Sequence, residues 1–153
     1  MTKLTQDVRS GANWFIWIAG LSLVNTVLFV AGSQWNFFLG LAVTQVVDEF
    51  GKVVITGTTG LVLALAVDAV IAAIFVSLGL MSRKGALWSF IVGMVLIVLD
   101  ALLLVWVQDW AALAFHALAL FFIARGFQAA RRLAALRTAA ALPAGTVPPI
   151  TPR

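Results

Sequence analysis

Four stretches of the chain are apolar for about the length of a membrane crossing, and the polar residues inside them are few enough to name. Trp14 to Gly32 carries no charge, Gly60 to Met81 carries only Asp68, Ala86 to Val107 only Asp100, and Trp110 to Ala124 only His116 as an ionisable group. A helix needs roughly 20 mostly apolar residues to cross about 30 Å of hydrocarbon, so the first three runs suffice as they stand. The fourth is short by about a turn; Arg125 can snorkel there, and the helix is expected to continue into "RGFQAARRLAALR". The first run exceeds the usual signal-peptide core of about 7–15 residues, so it reads as a retained span despite Lys3 and Arg9 before it.

One further segment, Trp35 to Phe50, is too short and too charged at its end to be a fifth span. At helical spacing Leu39, Val43, Val46 and Phe50 share one face, and Leu41, Thr44, Gln45 and Asp48 another. It is expected to lie on the membrane as an interfacial helix, or to dip in as a lid that turns Gln45 and Asp48 toward the bundle. Gly57 and Gly60 in "TGTTG" supply a flexible re-entry into the second span.

Composition fixes the class. The chain is 63% hydrophobic and only 10% charged, where a soluble domain carries roughly 25% charged residues. Its mean hydropathy is +1.08. The 153 residues allow one domain and no separate soluble catalytic module. Cysteine is absent, which excludes disulfides, thiol catalysis, Fe–S ligation and Cys-type zinc sites; no haem is expected, and any metal must be held by oxygen and imidazole.

The basic residues fall on one side of such a bundle. With a cytoplasmic N-terminus, Lys3, Arg9, Arg83, Lys84, Arg125, Arg131, Arg132, Arg137 and Arg153 are all inside, and only Lys52 lies outside. Asp48, Glu49 and Asp109 then occupy the outer side as an acidic rim, with Asp109 also placed to cap the fourth helix. The basic pI of about 10.8 thus reads as topology and not as nucleic-acid binding, since no aromatics interleave the arginines.

The expected fold is an all-α integral membrane domain, an antiparallel four-transmembrane-helix bundle of the cell membrane with both termini cytoplasmic. Its spans are 14–32, 60–81, 86–107 and 110–127, with an outer-side amphipathic or re-entrant helix over 35–50. Residues 1–13 form the cytoplasmic N-terminus, and 128–153 a basic cytoplasmic tail whose proline-punctuated end, "LPAGTVPPITPR", is expected to be disordered. The bilayer is the first partner, and a homodimer or a membrane complex the second.

Depth then brings the polar residues to one level. At 1.5 Å per residue Asn25 lies roughly 24 Å from Arg9, Asp68 roughly 22 Å from Arg83, and Asp100 roughly 24 Å from Lys84; His116 is roughly 10 Å below Asp109. A carboxylate at mid-span costs about 2.5–3.5 kcal/mol on insertion scales, so both aspartates should face inward. Two inward carboxylates repel, which calls for a proton on one, an imidazolium at His116, or a cation such as a divalent metal held by Asp68, Asp100 and His116. Asn25 can donate to a carboxylate or offer its carbonyl oxygen, and Ser22 lies one turn below it.

Three roles compete for this cluster. The first is binding or conducting a proton or cation, a transport-type role. The second is a membrane-embedded enzyme, a metal-assisted or acid/base hydrolase with its site open to the outer leaflet. The helical pairs of metal ligands at i and i+3 or i+4, the Gly-x-Ser-x-Gly elbow and the phosphate loop are all missing. The third is a structural or accessory subunit, in which the Asp and His groups lock the four helices to one another or to a partner protein and small residues such as Ala69 and Ala73 permit close approach there. Trp14, Trp17, Trp35, Trp88, Trp106 and Trp110 fall near expected interfaces and are assigned to an aromatic belt.

Overall fold

The structure, a computed structural model, describes residues 2–30, 58–106 and 108–141. The expected helix over 35–50, with Gln45, Asp48 and Glu49, lies outside these residues, as do Trp35 and the proline-punctuated end. Four helices account for the regular structure of the described residues: α1 Thr2–Val30, α2 Thr58–Arg83, α3 Leu87–Trp106 and α4 Trp110–Ala141. Each is long and apolar enough to cross a membrane. All four prolines of the chain fall after Leu142, so no helix is interrupted by a missing N–H.

α1 and α4 run well past the apolar cores that the sequence marks. α1 begins at Thr2, twelve residues before Trp14, and α4 continues to Ala141. At 1.5 Å per residue they measure about 44 and 48 Å, against about 30 Å for α3. The excess is not solvent-bathed helix alone. Val8 of α1 and Ala129, Ala130 and Leu133 of α4 are buried, and all but Leu133 belong to the main apolar cluster.

Both tight turns use the same closing device. After α2 the Ala86 N–H bonds the Met81 carbonyl (3.2 Å) and the Gly85 N–H bonds that of Ser82 (2.9 Å), with Gly85 left-handed at φ 86°. This is a Schellman cap, which needs positive φ and so favours glycine. After α3 the Asp109 N–H bonds the Leu104 carbonyl (3.0 Å) and the Gln108 N–H that of Val105 (3.2 Å), but the left-handed position is Gln108, at φ 59°. Asp109 then accepts the Ala112 N–H at 3.0 Å, so one residue closes α3 through its backbone and opens α4 through its side chain.

Burial follows one stripe on each helix at steps of three and four residues. On α1 it runs Val8, Ala12, Phe15, Ala19, Ser22, Thr26; on α4, Ala112, His116, Ala119, Ile123, Gly126, Ala130, Leu133. Asp68 lies in the stripe of α2 with Ala72 and Phe75, and Asp100 sits in that of α3 between Ile97 and Leu104. α1 packs against α2 and α4, while α3 packs against α4 and, more sparsely, α2.

Phe15 anchors the middle of the core. Its ring lies 6.4 Å from Phe75 and 6.1 Å from Phe90, and it fills the space above Gly93, where any side chain would overlap it. α1 and α4 approach closely at Gly11 and Gly126; a Cβ on Gly11 would come within 2.6 Å of the Gly126 Cα. Ala69 and Ala73 do not mediate close approach inside the bundle; they are exposed, because the buried stripe of α2 passes through Asp68, Ala72 and Phe75. Trp17, Trp88, Trp106 and Trp110 are exposed. Trp14 is not; half-buried, it stacks on Phe122 at 5.1 Å and 7°.

Candidate functional site

Both intramembrane-type aspartates point into the protein. Asp68 is 1% exposed, Asp100 4% and His116 2%. That burial is the direct consequence of their register: each occupies a three-or-four step in a stripe whose other members are apolar or small.

Asp100 and His116 meet across α3 and α4. His116 Nε2 lies 2.8 Å from Asp100 Oδ2, and His116 Nδ1 lies 2.8 Å from the Ala112 carbonyl oxygen, one turn back on its own helix. A carbonyl can only accept, so Nδ1 carries a hydrogen and donates it. The second nitrogen then decides the charge. A bare lone pair on Nε2 facing a bare carboxylate oxygen at 2.8 Å is repulsive, so the short contact requires a proton between them. The pair is neutral overall in either form, carboxylic acid donating to imidazole or imidazolium donating to carboxylate. Loss of that proton would leave a net negative charge in a site shielded from water and remove the hydrogen bond, which is the physical basis for treating this pair as a proton-binding element.

Asp68 has a different partner, on α1. The Thr26 hydroxyl lies 2.6 Å from Asp68 Oδ2 and 3.2 Å from the Ser22 carbonyl. With Asp68 ionised, Thr26 donates to the carboxylate. With Asp68 protonated, the acid donates to Thr26 and the hydroxyl hydrogen turns to Ser22. A single threonine thus serves both protonation states without a rotamer change.

Of the four residues expected to converge, the structure joins Asp100 and His116 directly and gives Asp68 a hydroxyl partner on the neighbouring helix. Asn25 is half-buried on α1, one residue before Thr26. Among the described residues no three His, Asp or Glu side chains are grouped so as to hold a metal ion, the set Asp68, Asp100 and His116 included. Asp109 is taken up as the α4 cap. Thr26 was not anticipated. The signal for it was present: it lies four residues after Ser22 and eleven after Phe15, on the buried stripe from which Asn25 is offset by one position.

A second polar contact ties the other end of the bundle. Ser82 and Ser89, both fully buried, are 2.8 Å apart across the Gly85 turn, and Arg83 Nε donates to Asn13 Oδ1 at 2.8 Å.

Compared with known protein families, with curated proteins and with solved structures, the chain matches none.

Proposed function

We propose that the chain is a multi-pass membrane protein, an antiparallel four-helix bundle, whose Asp100–His116 pair binds an exchangeable proton within the membrane and so serves a proton-coupled, transport-type role. The observation that carries this reading is the pair of 2.8 Å contacts around the His116 ring, which a shared proton in a buried site would satisfy together. A membrane setting is supported by helices of sufficient length and hydropathy, and by Trp88 and Trp106, exposed and about 27 Å apart along α3, close to a hydrocarbon thickness.

Charge supports the direction of insertion. Asn13 bonds Arg83, and Gly11 faces Gly126, so Lys3, Arg9, Arg83, Lys84, Arg125, Arg131, Arg132 and Arg137 gather at one end. The half of the described bundle away from it contains Asp68, Asp100 and Asp109 and no lysine or arginine. The basic end is assigned to the cytoplasm. A proton is favoured over a metal ion as the bound species because Asp100 bonds His116, Asp68 bonds the Thr26 hydroxyl, and among the described residues no three acids or histidines form a group.

Liposomes holding the purified protein and a pH-sensitive dye test the role. Under an imposed pH step the wild type is expected to equilibrate faster than Asp100→Asn and His116→Ala. Equal rates in all three would remove proton passage.

A structural role is the second reading, favoured by one specific feature: each aspartate bonds the helix adjacent to it in sequence, Asp68 to α1 and Asp100 to α4. The two pairs would then be clasps that hold each hairpin closed.

A further inference from the structure

α2 and α3 make the sparsest of the four neighbouring contacts, and between them opens a groove of about 540 Å³. Its walls are Ile71, Phe75, Leu96, Leu99 and Leu103 among others, and the one polar residue among the described residues that line it is Asp100. The volume lies within the roughly 300–1,000 Å³ typical of small-molecule sites, and the proportions are those of a ligand pocket: apolar walls and one orienting polar group.

We propose that this groove binds an amphiphilic monocation, a long-chain primary amine, whose ammonium takes the place of the proton on the Asp100–His116 pair. This deepens the proton-binding reading and rests on it. An acyl chain alone would match the walls but offer nothing to Asp100. A fatty carboxylate would be repelled by it. An ammonium in the groove meets Asp100 first, to which one N–H donates; once Nε2 and Oδ2 part to admit the nitrogen, a second N–H donates to His116 Nε2 behind it, while Nδ1 keeps its bond to Ala112. The surrounding charge agrees, since the other titratable groups in this half of the described bundle are Asp68 on α2 and Asp109 in the turn; α1 presents only Ser22, Asn25 and Thr26. The exchange balances. One positive charge enters as the ammonium, the proton shared by Nε2 and Oδ2 leaves to water with the hydrogen bond it made, two ammonium hydrogen bonds replace it, and no other covalent bond is made or broken.

The test uses the full chain in zwitterionic lipid nanodiscs with three probes of equal chain length, an alkylamine, an alkyl alcohol and an alkyl carboxylic acid, each with a diazirine on the chain. Photolabelled positions are mapped by mass spectrometry, and protons released on mixing are read with an indicator dye. The amine is expected to label the Ile71–Phe75 and Leu96–Leu103 segments in roughly tenfold preference to the alcohol and the acid, the factor that about 1.4 kcal/mol of charge-assisted bonding supplies, and to release about one proton per amine bound. Asp100→Asn is expected to abolish preference and release, and Leu99→Trp to block labelling while the ¹⁵N spectrum of His116 keeps its wild-type form. Equal labelling by all three probes, or amine binding without proton release, overturns the proposal. If the His116 spectrum shows a shared proton and the amine is still not preferred, the amine site alone fails; if no shared proton is found, the underlying reading fails with it.

Discussion

Thr26 shows at the scale of one residue how a buried acid is accommodated. Its hydroxyl bonds a carboxylate that is 1% exposed, and valine has the same shape without the oxygen. Thr26→Val is therefore expected to lower stability by about 1–3 kcal/mol in a denaturation titration in mixed micelles, with Thr26→Ser close to wild type. Wild-type stability in the valine variant would mean that the hydroxyl contributes nothing to Asp68. The acids themselves were legible from the sequence because a charge within a long apolar run has few places to go. Thr26 was legible through its register alone, not its chemistry, since a threonine in a span is inexpensive and can satisfy itself on the carbonyl four residues back, as it also does here with Ser22. His116 was legible as polar, but its pairing with Asp100, and not with Asp68, depends on how α4 rotates against α3, which helix periodicity alone leaves open.

At the scale of the element, the helices were legible where hydrophobic length decided them and less so at their ends. α3 spans Leu87–Trp106, within a residue of the run that composition marks. α1 reaches back to Thr2 because Val8, Gly11 and Ala12 continue its buried stripe against α4, a tertiary cause that no local apolar run reveals. Turn chemistry separates the two hairpins. The α2–α3 turn has glycine at its left-handed position, whereas the α3–α4 turn places Gln108 there, at a cost of roughly 1–2 kcal/mol for an L-residue. Gln108→Gly is expected to raise stability by about 1 kcal/mol while leaving the Asp109 cap in place, read as a higher unfolding midpoint. A lower midpoint would show that the glutamine side chain contributes more than its backbone strain removes.

At the scale of the whole molecule, the separation of charge from polarity is the organising feature. Eight basic residues gather at one end and three aspartates occupy the other half of the described bundle, so orientation can be tested without disturbing the core. The chain has no cysteine, which makes single replacements clean reporters. Ser10→Cys, Lys84→Cys and Arg137→Cys are expected to react with an impermeant maleimide only from the cytoplasmic side, and Gln108→Cys only from the opposite side; Gln108 reacting together with Lys84 would rule out a crossing by α3. The all-helical class, with four helices long and apolar enough to cross a membrane, was legible at this scale from four apolar runs. The division of the polar cluster into two hydrogen-bonded pairs was not, because it follows from which helices become neighbours. The most direct measurement of the shared proton uses the fact that His116 is the chain's single histidine, so ¹⁵N-histidine labelling reports on it alone. A protonated Nδ1 and an Nε2 signal displaced by a hydrogen held with Asp100 are expected in the wild type, with Nε2 becoming a plain acceptor in Asp100→Asn. An ordinary Nε2–H tautomer with bare Nδ1, unchanged by Asp100→Asn, would contradict the proton-binding pair.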